Sequence, residues 1–177
     1  MRKKIFFIFT VMLAGIGMGS MTGCSQNLET LNWTEVTRDI RNTFPDVKQL
    51  QTAELQSWLT NSKSKSAILI DARRKEEFHV SHISGAKNIP YNSKDPLKFL
   101  INIKPDNPIV VYCSVGYRSS ILARKLQTLG FKEVHNLEGS IFKWANEGRL
   151  LFQGQTIVHK VHPYNAHWGS LLEKKYH

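Results

Sequence analysis

Two runs of consecutive apolar residues dominate the pattern along the chain: Ala67-Ile68-Leu69-Ile70, closed by Asp71, and Ile109-Val110-Val111-Tyr112, closed by Cys113. A strand wetted on one face alternates apolar and polar residues. A strand that is apolar throughout is covered on both faces, as in a parallel sheet. Around these runs the spacing turns helical. Ser119 to Leu129 sets Ile121, Leu122, Leu126 and Leu129 on one inward face and stops at Gly130. Thr52 caps a helix over Ala53 to Thr60 with Leu55, Trp58 and Leu59 on one side, and Arg73 to His79 and Pro96 to Ile101 predict shorter helices. Further strands are predicted at Val47 to Leu50, within Ile83 to Pro90 after a turn, and within Phe131 to Leu137, centred on Val134. A last helix opens at Glu138-Gly139, runs through Ile141, Phe142, Trp144 and Ala145, and ends at Gly148. Short apolar runs alternating with helices imply βαβ units and one α/β domain.

The flanks differ from this core. Leu31, Val36, Ile40 and Phe44 recur at helical intervals, with Asn32 as cap and Pro45 as stop, giving an amphipathic helix that packs on the domain. Trp33 and Arg38 leave open a helix lying at a membrane surface. Beyond Leu150, Gln155 to Lys160 predicts a strand, and Val161 to Gly169 is rich in aromatics and histidine. The simplest role for that extension is to cover an exposed apolar edge.

At the N-terminus, the basic Arg2-Lys3-Lys4 precedes an apolar stretch from Ile5 to Gly19, then Met21-Thr22-Gly23-Cys24. This resembles a bacterial lipoprotein signal, in which the cysteine is lipidated and becomes the first residue after cleavage. The expected division is a signal peptide at 1–23, a tether and helix at 24–45, the α/β domain at 46–149 and an extension at 150–177. A lipid on Cys24 would hold the protein on a membrane, facing the periplasm or the cell exterior, and leave Cys113 as the free thiol. Cleavage would lower the formal charge from +10 to +7, since the three basic residues and no acid lie in the removed segment. A basic balance suits small anions or an anionic lipid surface. No basic run interleaved with aromatics points to nucleic acid. His159, His162, His167 and His177 have no acid or cysteine at close spacing, so no metal site is assigned.

The candidate chemistry centres on Cys113-Ser114-Val115-Gly116-Tyr117-Arg118-Ser119. A strand–loop–helix turn aims successive N–H groups into a shallow bowl, and the helix N-terminus adds partial positive charge. Both favour a thiolate at Cys113. The backbone of Ser114, Val115, Gly116, Tyr117, Arg118 and Ser119 supplies the anion cradle, and Gly116 lets the loop curl. Arg118 admits three readings: a fork for an anionic donor, a brace paired with Asp71 or Glu77, or a solvated cation placed unfavourably at a helix start. Asp71 and Arg73, just past a strand end, either orient the site and touch substrate or form a local ion pair. Glu77 and His82 lean toward structural roles.

Taken in order, Leu69-Ile70-Asp71-Ala72-Arg73, Glu77-Phe78, His82 through Pro90, the Cys113 loop, and Asn136-Leu137-Glu138-Gly139 with Trp144 resemble a single rhodanese domain. The resemblance implies a central, mostly parallel five-stranded sheet flanked by helices on both faces. It implies a sulfurtransferase that needs no cofactor and uses a persulfide on Cys113. The donor would be a small sulfur-bearing anion such as thiosulfate, and the acceptor a thiol, cyanide or a protein persulfide partner. Four residues separate Cys113 from Arg118. Phosphatases resembling this fold have five, which leaves a cysteine phosphatase or arsenate reductase as the weaker alternative beside a non-turnover persulfide carrier. Ser140 stands where a second glycine is usual, a departure expected to touch only a turn.

Overall fold

In a computed structural model, residues 31–60 and 67–177 are described. The predicted signal, Cys24, the tether to Thr30 and the turn Asn61 to Ser66 lie outside the described residues. The two apolar runs become neighbouring strands, β2 (Ile68–Asp71) and β4 (Ile109–Tyr112), in register from Ile68 opposite Ile109 to Asp71 opposite Tyr112. With β1 (Lys48–Leu50), β3 (Lys87–Asn88) and β5 (Val134–Leu137) they form a five-stranded sheet in the order β1-β5-β4-β2-β3. Every pairing in it is parallel. All four residues of β4 are buried, so successive side chains on opposite faces both meet protein. Unbroken hydrophobicity there reflects a sheet sandwiched between layers.

Helices α1 (Trp33–Thr43), α2 (Thr52–Thr60), α3 (Lys75–Val80), α4 (Tyr117–Thr128) and α5 (Ser140–Asn146) surround the sheet. In α1, Asn32 accepts a hydrogen bond from the Glu35 amide at 2.9 Å, a cap worth about 1 kcal/mol. Val36 and Ile40 of α1, with Phe44 just beyond it, are buried in the main core, and Arg41 bonds Glu138 at 2.6 Å.

Three expectations need correction. Helix α4 begins at Tyr117, two residues before Ser119, because Gly116 at φ +121° makes the turn and places Arg118 in the first helical turn. Leu129, expected inward, is 40% exposed: it follows the last turn as the chain unwinds into Gly130 at φ +100°. The helix predicted over Pro96 to Ile101 shrinks to a 3-10 turn at Leu97–Phe99. Leu100 is buried there while Ile101 is 80% exposed, so the segment lacks an apolar face wide enough to hold a full helix.

Past α5, strands β6 (Leu151–Gln153) and β7 (Thr156–Val158) form an antiparallel hairpin, of which only the second strand is legible as a run. Phe152 and His82 exchange backbone hydrogen bonds of 2.8 and 2.9 Å, tying the hairpin to the loop after α3. The chain then crosses back through Val161, a short helix α6 (Ala166–Gly169), Leu171, Leu172 and Tyr176. Those four apolar side chains join the main core. Each contributes about 2 kcal/mol of gross burial energy against the entropy of ordering the tail. Asn146 clamps it further, donating to Leu171 O at 2.8 Å and accepting from Glu173 N at 2.9 Å.

Candidate active site

Cys113 follows the last residue of the central strand, at the end where open parallel sheets place ligands. The loop after it is held from two sides. From α5, the amides of Ile141 and Phe142 donate to the carbonyls of Cys113 and Ser114, both at 3.1 Å. The Cys113 amide in turn donates to Ser140 Oγ at 3.0 Å, and that hydroxyl donates to Leu137 O at 3.1 Å. Ser140 does this at φ +52°, a conformation L-residues rarely adopt. The expectation that Ser140 touches only a turn is therefore corrected: it tethers the backbone of the cysteine.

From α4, the Gly116 amide lies 3.2 Å and the Ser119 hydroxyl 3.4 Å from Cys113 Sγ. Gly116 is required for its positive φ, and a Cβ there would also stand tightly, 3.2 Å from Asn136 Nδ2 and 3.3 Å from Ile40 Cδ1. Ser119 does not cap its helix. Its hydroxyl donates to Asn136 Oδ1 at 2.6 Å, and Asn136 donates to Gln49 on β1 at 2.7 Å. Burial pushes the Cys113 thiol up, but the charge of Arg118 and the donors of Ser119 and Gly116 outweigh it and hold the thiol below its ordinary value. Cys113 is buried, 1% exposed, and poised toward the thiolate, the nucleophilic form of a cysteine.

Of the three readings of Arg118, the structure shows the brace. Its Nη1 and Nη2 bond the two Glu77 oxygens at 2.7 and 2.8 Å, a bidentate pair, and Nη2 also donates to Ser114 Oγ at 2.9 Å. Burial alone would raise the Glu77 carboxyl, yet its bonds to Arg118 keep it below the ordinary carboxylate range. Burial would lower Arg118, and Glu77 and the sulfur raise it above its ordinary value. Glu77 thus touches the site directly.

Asp71 and Arg73 do not. Both side chains are fully buried and bond each other through Nη2–Oδ2 at 2.7 Å, while Arg73 Nη2 also donates to Ser81 O at 2.6 Å. The local ion pair of the sequence reading is present, and the charge of Arg73 also helps to lower the Glu77 carboxyl. His82 stacks on Phe78 at 4.0 Å and bonds Phe78 O through Nδ1, a packing role.

Above the thiol lies a cavity of about 150 Å³. Cys113, Ser114, Val115, Tyr117 and Arg118 form its base, and Tyr164 and Trp168 of the C-terminal extension form its other wall. The Tyr164 ring covers the Arg118 guanidinium at 4.6 Å. The extension therefore reaches the site as well as covering an apolar edge. Asn136, Ser140, Tyr164 and Trp168 were absent from the sequence-predicted site. A signal for two of them was available: Asn136 and Ser140 are polar residues inside buried elements, and such groups need partners.

Residues 52–147 match the Rhodanese-like domain family, more than half of the chain, and the protein belongs to that family. Among curated proteins it is similar to uncharacterized protein YqhL of Bacillus subtilis, 37% identical over 83 residues that cover 47% of this chain and 64% of that protein. It is also similar to the probable adenylyltransferase/sulfurtransferase MoeZ of Mycobacterium tuberculosis, 32% identical over 94 residues, 53% of this chain and 24% of that one. The chain thus spans less than two thirds of the length of either relative. A crystal structure of thiosulfate sulfurtransferase from Pseudomonas aeruginosa shares the fold, with a TM-score of 0.58 at 24% identity, covering 68% of this chain and 22% of that one. The family relatives include sulfurtransferases.

Proposed function

We propose that this protein is a sulfurtransferase that carries sulfane sulfur on Cys113. The observation that supports it most is the sulfur's setting: closed off by the loop, bonded by the Gly116 amide at 3.2 Å, and held toward the thiolate by Arg118. The Cys113 thiolate attacks the outer sulfur of a donor such as thiosulfate. The S–S bond of the donor breaks, sulfite leaves with its electron pair, and a persulfide remains. An acceptor thiolate or cyanide then attacks the outer sulfur and Cys113 departs as thiolate. The Gly116 amide and Ser119 hydroxyl stabilise that charge in both halves of the cycle. Incubation with thiosulfate followed by intact-mass measurement tests this. The expected result is a gain of one sulfur atom, lost in Cys113→Ser together with thiocyanate formation from cyanide. An unmodified mass, with thiocyanate release unchanged by the substitution, overturns it.

One observation favours a second reading, a carrier loaded by another protein's persulfide. Glu77 already occupies the planar fork of Arg118, which leaves an anionic donor mainly backbone amides for recognition. Slow loading from thiosulfate beside fast loading from a protein persulfide would select this reading.

We also propose that Cys24 is lipidated and anchors the protein in a bacterial envelope. The support is the basic-apolar-small order that ends in Met21-Thr22-Gly23-Cys24. Incorporation of a fatty-acid analogue, abolished in Cys24→Ala, is the expected result; labelling that persists in the variant overturns it.

A further inference from the structure

The cavity over the thiol, about 150 Å³, is smaller than most small-ligand sites, which run from about 300 to 1,000 Å³. It holds the sulfur end of a substrate and little else. A second, larger cavity of about 350 Å³ lies directly beside it. Tyr117 and Trp168 wall both, so the two spaces share a partition of two aromatic side chains. The floor of the larger one is Val36 and Ile40, one helical turn apart on α1. Its rim is the next row of the same helix, Glu35, Asp39 and Thr43, again four residues apart. Arg38 pairs with Asp39 at 3.2 Å, while Glu35 has no ion-pair partner among the described residues. Tyr117 is 47% exposed and is held edge-on against Phe44 at 5.2 Å between ring centroids. A chain with a formal charge of +10 thus presents, next to its nucleophile, an apolar trough with a carboxylate rim and aromatic walls.

Resting on the sulfurtransferase reading, we infer that this trough is the acceptor subsite. It receives a segment of a partner protein in which the accepting cysteine is flanked by an apolar and a basic side chain. The apolar side chain covers Val36 and Ile40. The basic one meets Glu35 and the faces of Tyr117 and Trp168, where cation–π attraction adds to the ion pair. The cysteine enters the thiol cavity past the same two rings. Its thiolate attacks the outer sulfur of the Cys113 persulfide. A new S–S bond forms on the partner, the old one breaks, and Cys113 leaves as thiolate with no net oxidation. Cyanide, which is too small to span the partition, does not sense the trough.

The test uses the full chain in mild detergent, loaded with thiosulfate or with cysteine persulfide, and two acetylated, amidated peptides. One has the order cysteine-leucine-lysine, the other cysteine-leucine-glutamate. Sulfur transfer to the lysine peptide is expected to show a kcat/KM about fivefold higher, the size of one partly exposed ion pair. Glu35→Gln brings the ratio close to one and Glu35→Lys inverts it, while cyanide turnover and sulfite release stay at the unsubstituted level in both. A ratio near one in the unsubstituted chain, or one untouched by either substitution, overturns the subsite, as does equal transfer to a thiol with no side groups. Absence of a Cys113 persulfide after either loading would instead overturn the sulfurtransferase reading itself, so the two failures are distinct.

Discussion

Two of the acid–arginine pairs among the described residues are largely buried and close at the same distance, and they do different work. Asp71–Arg73 and Glu77–Arg118 both close at 2.7 Å. The first is sealed at 0% exposure on both sides, spans two residues, and spends its spare donor on Ser81 O. The second joins residues 41 apart, and its arginine keeps 13% exposure, a face against Tyr164, and a field on the sulfur. A pair sealed away from the cavity and bonded onward to backbone holds shape. A pair with one charged edge left in an apolar-walled cavity sets the protonation of its neighbour. Position decides the role, since chemistry and distance are the same.

The largest expected effect comes from breaking the sealed pair. Arg73→Met leaves Asp71 buried without a counter-charge and should cost about 3–5 kcal/mol in urea unfolding, whereas Asp71→Asn combined with Arg73→Met should cost clearly less than the single change. Arg118→Leu should cost less stability but raise the midpoint of Cys113 alkylation by iodoacetamide, since the main favourable charge is removed. If Arg73→Met moved that midpoint as far, the division between the pairs would fail. Tyr164→Ala should move it in the same direction by less than Arg118→Leu does, with Tyr164→Phe restoring it, because the ring face rather than the hydroxyl meets the guanidinium. The smallest effect is in the pH dependence of stability. Glu77 is held below its ordinary value of 4.5 in the fold. Its contribution is therefore complete above 4.5 and is lost as the pH falls through the depressed folded value. Glu77→Gln should flatten urea-midpoint profiles in that acid range and leave them parallel above it.

This contrast also marks how far the sequence could be read. The apolar runs 67–70 and 109–112 declare a parallel sheet because burial on both faces leaves no polar positions. Cys113 at the end of one run, and a glycine three residues on, declare the loop. Which acid would take Arg118 was not legible. Asp71 and Glu77 lie six positions apart, and only the docking of α3 beside α4 brings the second within reach. Nor could spacing show that Tyr164 and Trp168 return to the cavity, since their path depends on Val161, Leu171 and Tyr176 finding the main core. Helical spacing becomes legible only at Ser119, while the turn at Gly116 has already begun α4 two residues earlier.

Ser119 carries one hydroxyl hydrogen and faces two acceptors, Asn136 Oδ1 at 2.6 Å and Cys113 Sγ at 3.4 Å. Both cannot hold it fully at once. As the sulfur gains negative charge the hydrogen is drawn toward it, and the Asn136 amide, bonded onward to Gln49 on the edge strand, loses part of the hydrogen bond that polarises its carbonyl. The charge of a buried atom is thereby copied into the magnetic environment of two side-chain amides. Their nuclear resonance frequencies should titrate with Cys113, so the nucleophile is observable from the rim of the sheet without any reaction taking place.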